Sequence, residues 1–285
     1  MINIILCSYK GDKYIQAQRE SILGQKTDEE FRLYEYDDEI RQSGSAALNF
    51  LSAITEAPEA AYYMLSDQDD VWHPDKIEKL SAFIKANDNG LPLLCFSDAA
   101  VADESLNIIA DSFVKYQGIS PERTDFNHLL LQNQVTGAAC IFNNALRNKI
   151  IEHEVPQHAA VHDHWIALIA SAFGRILYLD EALYDYRQHD NNVLGAHKAG
   201  VFRETSERMT EEGSKKSHAG YESLFSQAQE FLEFYRKDMS PDMIEACEAF
   251  IEIPNLTKAE KIKTIARYGF TYNNAYRTFG EILFI

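Results

Sequence analysis

Three short clusters hold the side chains able to do chemistry. Asp67-Gln68-Asp69-Asp70 sets three carboxylates within four residues, directly after an apolar run, a crowding that is costly unless a cation neutralises it. The bland alternative is a solvated acidic loop. A calcium-binding helix-loop-helix is excluded, because the fifth and sixth positions counted from Asp67 are Val71 and Trp72, where that loop needs an oxygen ligand and a glycine. His162-Asp163-His164-Trp165 comes immediately before the apolar residues 166–172. Asp163 there can serve as a general base, the two histidines can ligate a transition metal, or the polar groups can simply open a helix. Arg187-Gln188-His189-Asp190 follows residues 178–186 and offers an imidazole metal ligand and a cation for phosphate, or no more than a satisfied surface histidine. Together the clusters supply carboxylates for a divalent metal, a carboxylate for proton abstraction, and cations for phosphate. That set suits displacement of a diphosphate leaving group. Neither GxGxxG nor GxxxxGK[ST] occurs, which argues against hydride transfer and P-loop ATP use.

Such groups need elements to hold them. Residues 2–7 form a short, nearly unbroken apolar run ending in Ser8-Tyr9-Lys10-Gly11, as a buried parallel strand entering a loop would. Residues 13–23 carry Tyr14, Ile15, Ile22 and Leu23 at helical spacing, with Gly24 at the end. Residues 31–34 read as a strand closing on Tyr36-Asp37-Asp38, residues 45–54 as a helix, and residues 61–65 as the strand that delivers the acidic cluster. Pro74 opens a helix carrying Ile77, Leu80 and Ile84, and residues 91–96 and 135–142 are further buried strands. Strands alternate with helices and acidic groups sit where strands end. This predicts an α/β architecture with ligands at the carboxyl edge of the sheet.

The chain has 285 residues, 46% of them hydrophobic, and a formal net charge of −17. Such acidity opposes a nucleic-acid partner, which needs clustered Lys and Arg. Cys7, Cys95, Cys140 and Cys247 lie far apart without a CxxC pair, as buried thiols in a reducing compartment would. The first ten residues lack a basic n-region, and residues 166–179, the longest apolar stretch, are broken by Ser171, Gly174 and Arg175. They fall short of the roughly 20 residues of a membrane span. A soluble or peripheral protein is expected.

From about Gly200 the pattern turns helical, with Tyr221, Leu224, Phe225, Ala228, Phe231, Leu232 and Tyr235 on one face and a capped restart at Ser240-Pro241-Asp242. Residues 254–285 carry Lys258, Lys261, Lys263, Arg267 and Arg277 against Glu260 and Glu281, interleaved with Tyr268, Phe270, Tyr272, Tyr276 and Phe279. A basic, aromatic helix of this kind can lie on an anionic membrane, or can be a packing helix with a solvated basic face.

At these residues the chain resembles the inverting nucleotide-sugar glycosyltransferases of family two, of the bacterial rhamnosyltransferase type. The likeness rests on Ile4-Ile-Leu-Cys-Ser-Tyr-Lys-Gly11 with Lys13-Tyr14-Ile15, Tyr36-Asp37-Asp38, Leu65-Ser-Asp-Gln-Asp-Asp-Val-Trp72, Val135-Thr-Gly137, His162-Asp-His-Trp165 and Tyr186-Arg-Gln-His189, in the family's order over about residues 1–197. The resemblance implies an α/β GT-A fold in residues 1–199, Rossmann-like and binding a sugar nucleotide with Mg²⁺ or Mn²⁺, followed by a helical extension over 200–285. It places Ser8, Tyr9, Asp37 and Asp38 at the base and ribose, with Gln68 among the donor-binding residues. Asp69 becomes the direct metal ligand, Asp67 lies near the ribose or metal waters, and His189 and Arg187 sit beside metal and diphosphate. Asp163 matches the catalytic base, while Trp72, Thr136, Gly137, His162 and Trp165 would line the donor-sugar and acceptor pocket. It further implies a cytoplasmic enzyme of cell-surface polysaccharide synthesis, acting on a glycan or lipid-linked glycan at the inner membrane face, with dTDP-rhamnose as donor.

In the family the Asp-Asp pair leads on to a further helix and strand, whereas here Gly44 follows Asp38 within six residues. This predicts either a trimmed sheet or a missing segment. Two rival functions remain: a metal-dependent hydrolase using His162, His164 and His189 around zinc or manganese, and a non-catalytic sugar-nucleotide-binding partner.

Overall fold

The computed structural model describes residues 1–11, 13–189, 211–273 and 278, and of 211–218 only the backbone. Asp190, the boundary expected at 199/200, and the tail residues Tyr276, Arg277, Phe279 and Glu281 lie outside the described residues.

Eight strands form one mixed sheet: β1 (Ile2–Ser8), β2 (Phe31–Asp37), β3 (Tyr62–Ser66), β4 (Val71–Trp72), β5 (Leu93–Ala102), β6 (Ile108–Ala110), β7 (Cys140–Asn143) and β8 (Arg175–Arg187). Their order is β2-β1-β3-β7-β5-β8-β4, with β6 added to β5. β1 runs parallel to β2 and β3, and β5 parallel to β8, while β7 and β4 are antiparallel to their neighbours. Ile2, Ile4, Ile5 and Leu6 are fully buried, because β1 has a strand on each side and is covered on both faces, which is why its sequence is apolar without alternation. Among residues 135–142, expected as a strand, only 140–142 pair in the sheet. Gly137–Ala139 forms a 3₁₀ turn, whose small apolar residues mimic a strand signal while serving as a tight, buried corner.

The helices are α1 (Ile15–Leu23), α2 (Asp38–Arg41), α3 (Ala46–Glu56), α4 (Lys76–Asn87), α5 (Phe113–Gln117), α6 (Phe126–Leu131), α7 (Asn144–Ile150), α8 (His162–Phe173), α9 (Glu211–Tyr235), α10 (Pro241–Glu252) and α11 (Lys258–Tyr268). The chain passes from Asp38 through the single turn of α2 to Ser45, whose hydroxyl caps α3 by accepting from the Leu48 amide at 3.1 Å. No strand intervenes. Among the described strands β2 is the last at this edge of the sheet.

Parallel pairing brings the ends of β1, β3, β5 and β8 to one edge of the sheet. Antiparallel β7 starts at that edge, and α8, which leads back to the start of β8, begins there too. Ser8, Asp67, the 137–139 turn, Asp163 and Arg187 are thereby gathered from across the sequence.

The C-terminal helices join the same core. Trp165 of α8 packs edge-on against Phe231 and Phe234 of α9 at centroid distances of 5.6 and 5.9 Å, and Phe231, Tyr235, Phe250, Ile265, Phe270 and Tyr272 belong to the cluster that includes β1. Phe270 and Tyr272 are buried, and Tyr268 stacks on Phe270 and donates to Glu245 at 2.7 Å. Phe270 and Tyr272 of the tail thus pack into the core. Cys7, Cys95, Cys140 and Cys247 are buried free thiols. Among the described residues no helix is long and apolar enough to cross a membrane.

Candidate active site

The acidic loop is braced from below and beside. Gln68 clasps the β1 loop through its backbone: the Tyr9 amide donates to Oε1 at 2.8 Å, and Nε2 donates to the Tyr9 carbonyl at 3.1 Å. Gly11 is the residue that permits this, since a Cβ there would stand 2.5 Å from Gln68 Oε1. Gln68, expected among the donor-binding residues, is therefore a brace between two loops. Its amide is already satisfied by backbone.

Asp69 meets His189, with Nε2 to Oδ2 at 2.8 Å. The imidazole stacks on Tyr14 at 4.9 Å, and the Arg187 guanidinium sits 4.7 Å from the same ring. Arg187 donates from Nε to the Asp69 carbonyl at 2.8 Å and from Nη1 to the Glu104 carbonyl at 2.7 Å, while its amide donates to Asp70 Oδ1 at 3.3 Å. Glu104 in turn accepts from the Tyr14 hydroxyl at 2.7 Å and pairs with Lys13. Arg187, predicted beside the diphosphate, is near the acidic loop as expected but is mostly buried and directed at carbonyls.

Burial raises Asp67 well above the usual carboxylate range; repulsion from Asp69 and Asp163 adds to this and Lys76 opposes it. Asp70 is raised for the same reasons, first burial and then Asp69 and Asp67. Lys76, fully buried in the first turn of α4, is itself held below the ordinary lysine range by burial. Sequence reading passed over it as one residue of an apolar helix. The signal was there: a lysine at a helix start faces the positive end of the dipole, so such a position calls for nearby carboxylates.

Asp163 lies at the start of α8. Its Oδ1 accepts from Asn133 Nδ2 and its Oδ2 from the Gly137 amide, both at 3.0 Å. Burial lifts its pKa to about 6, against the lowering by the Gly137 amide and the amides of the helix start. Its negative charge reaches Asp67, so the expected base and the acidic loop share one electrostatic site. Asn133 and Gly137 lie 30 and 26 residues away in sequence, and only the turn before β7 brings them there.

The neighbours of Asp163 on α8 do other work. His162 stacks on Phe50 at 3.9 Å and is kept neutral by burial, its pKa lowered to about 3. Its Nε2 points at Gly137, where a Cβ would be only 2.3 Å away. His164 donates from Nε2 to the Leu129 carbonyl and accepts at Nδ1 from Gln227 at 3.2 Å. A three-histidine metal site is therefore not formed: His164 has both nitrogens occupied. Trp165 is a core residue against α9, and Trp72 is buried beneath the acidic loop with the Lys76 ammonium 3.9 Å from its ring. Thr136 precedes the 137–139 turn, half-buried, and the Gly137 amide donates to Asp163.

Ser8 ends β1, and Tyr9 beyond it is exposed. Asp37 ends β2 and Asp38 opens α2 at the same edge, where Asp37 accepts from the Glu39 amide at 3.0 Å and Asp38 from the Ser43 amide at 2.8 Å. Both carboxylates shape the local turn.

Among the described residues no three His, Cys, Asp or Glu side chains converge as a ready metal cage. The donor set nonetheless fits a hard divalent ion. Asp69 and His189 are in contact, and the burial and mutual repulsion that raise Asp67 and Asp70 are what such an ion would offset. Mg²⁺ and Mn²⁺ sites commonly use one or two protein carboxylates, with substrate phosphate and water completing the shell.

No protein-family model matches the chain, and no curated protein matches it in sequence. Solved structures do. The 1–349 fragment of S. aureus TarS is 16% identical over 95% of this chain and 92% of that one, with a TM-score of 0.50. Its complex with UDP-GlcNAc gives 14% identity, 95% and 93% coverage and a TM-score of 0.51, and its complex with UDP 15%, 95%, 92% and 0.50. The fold is the GT-A glycosyltransferase fold, with helices following the sheet domain.

Proposed function

We propose that this protein is an inverting glycosyltransferase that moves a sugar from a nucleoside diphosphate donor to a hydroxyl of a glycan or lipid-linked glycan. The observation that carries the reading is Asp163: a carboxylate with a pKa of about 6, held by two donors, electrostatically coupled to the acidic loop across the sheet edge. The donor class is supported by the fold and by the neighbour's complexes with UDP-GlcNAc and UDP.

Asp163 accepts the proton of the acceptor hydroxyl as that oxygen bonds to the anomeric carbon, and the bond from that carbon to the diphosphate breaks on the opposite face. A pKa near 6 leaves the group ionised at neutral pH yet basic enough to take a proton. Asp69 and His189 would hold Mg²⁺ or Mn²⁺, which when bound supplies positive charge for the departing diphosphate. Asp67 would add a second carboxylate beside that charge, and Gln68 fixes the loop against Tyr9. Single displacement calls for no enzyme nucleophile.

The test is release of nucleoside diphosphate from a panel of sugar nucleotides, dTDP-rhamnose and UDP-GlcNAc among them, with Mg²⁺ or Mn²⁺. Turnover of one donor, lost in Asp163→Asn and in Asp69→Ala, is the expected result. Binding of a donor without turnover under any metal would favour the non-catalytic partner. Equal turnover of several sugars would remove the rhamnose specificity.

A further inference from the structure

We propose that Lys76 is a positioning residue that ties the acidic loop to the turn aligning Asp163. The inference rests on the glycosyltransferase reading for its catalytic consequence, though not for its geometry.

Lys76 is fully buried, and Nζ donates to the Ala138 carbonyl at 2.5 Å. The ring of Trp72 lies 3.9 Å and that of Tyr184 4.3 Å from the ammonium, a cation–π slot that fixes the side chain in one direction. On one side it is attracted by Asp70 and Asp67. On the other it grips the 137–139 turn, whose first amide, that of Gly137, donates to Asp163 Oδ2 at 3.0 Å.

A single side chain thus spans both halves of the site. Its location is unfavourable on local grounds, because it buries a cation at the positive end of a helix. An apolar side chain would fill the same slot between two aromatic rings but leave the Ala138 carbonyl without its donor and Asp67 and Asp70 without this cation. What the lysine adds is a hydrogen bond to the turn and a counter-charge for the carboxylates. No other described side chain donates to that turn.

The consequence is specific. Without Lys76 the turn loses its anchor, the Gly137 amide drifts from Asp163, and the carboxylate loses one of its fixed donors. Proton abstraction suffers more than donor binding, since Asp69, His189 and the β1 loop are held by other contacts.

The experiment uses the full chain carrying Lys76→Met, Lys76→Arg or Asp163→Asn. Thr136-Gly137 is the sole Thr-Gly pair in the sequence, so ¹³C-carbonyl threonine with ¹⁵N-glycine labelling isolates one amide resonance. In the wild type that proton should be shifted downfield by its carboxylate partner. Lys76→Met should move it upfield toward its position in Asp163→Asn, and Lys76→Arg should restore part of the shift. In donor hydrolysis Lys76→Met should lower kcat by at least about tenfold, with KM for the donor changed less than about twofold. An unmoved Gly137 resonance overturns the positioning role whether or not any sugar nucleotide is turned over. A shifted resonance with unchanged kcat, or a loss carried wholly by KM, overturns its catalytic consequence. Absence of turnover in the wild type with a shifted resonance rejects the glycosyltransferase reading and leaves the structural tie standing.

Discussion

At the scale of single residues, the groups that matter are carboxylates whose surroundings differ. Asp163 must be ionised to accept a proton, and burial raises it to about 6. The rate should therefore fall on the acid side of about pH 6, approaching tenfold per pH unit. A profile of kcat against pH, with melting curves taken at each pH, checks this and separates ionisation from unfolding. The separation is needed because His162 and His164, buried and neutral with pKa values of about 3 and 4, act on stability. Their folded values lie below the unfolded one, so the stability they lend is lost as pH drops below the unfolded histidine range. Asp163 has the opposite sign, since its folded pKa exceeds the unfolded value and protonation below about 6 favours the folded state. A second prediction concerns Gly137. A methyl there would meet His162 Nε2 at 2.3 Å, so Gly137→Ala should destabilise by about 1–3 kcal/mol through overpacking and lower kcat by moving the amide that holds Asp163. Urea midpoints and steady-state rates read the two effects. The sequence marks Asp163 as a candidate base at a helix start, but not the burial that raises its pKa or the distant turn whose Gly137 amide it accepts from.

Among the elements, α8 shows how one helix serves two masters. Rotation of 100° per residue sends Asp163 to the sheet edge, His162 against Phe50, and His164 and Trp165 toward α6 and α9. Adjacency in the chain makes His162 and His164 candidate metal ligands in the sequence, but on the helix they face different neighbours. The placement of Asp163 therefore depends on packing behind it. Phe231→Ala, which empties the slot facing Trp165 and Phe126, should cost about 3–5 kcal/mol. Its kcat should fall with the donor KM little changed, as a shifted helix displaces the base. Chemical denaturation together with donor kinetics is the check. The alternation of strands and helices was legible from apolar runs, whereas the antiparallel insertion of β7 was not, since hydrophobic pattern carries no direction.

Across the whole molecule, the helical region after the sheet was legible from its amphipathic spacing, but its role as a wall of the main core was not. Phe231, Tyr235, Phe250 and Phe270 share one cluster with the strands, and Arg123 reaches the Tyr272 carbonyl at 3.0 Å. Unfolding in urea should accordingly be a single transition by both fluorescence and circular dichroism. Two separated transitions would restore an independent extension beginning near residue 200. The same packing alters how the basic tail is to be tested. Removal of residues 254–285 would expose core aromatic sockets, so charge reversal at exposed Lys258 and Lys263 is the cleaner variant for sedimentation with anionic vesicles. Reduced co-sedimentation is expected if the tail contacts lipid.

The short passage from β2 to α3 has one more consequence. Gln42 and Gly44 both adopt positive φ, 54° and 100°, so the chain reverses here in two left-handed steps, at the rim of a sheet whose last described strand is β2. Residues Arg32 and Glu35 on that strand are exposed charges, which discourage chance pairing along the open rim. This makes residues 42–44 a natural splice point. A helix-strand module grafted there would extend the sheet by one strand without breaking any contact of Asp69, Asp163 or Lys76.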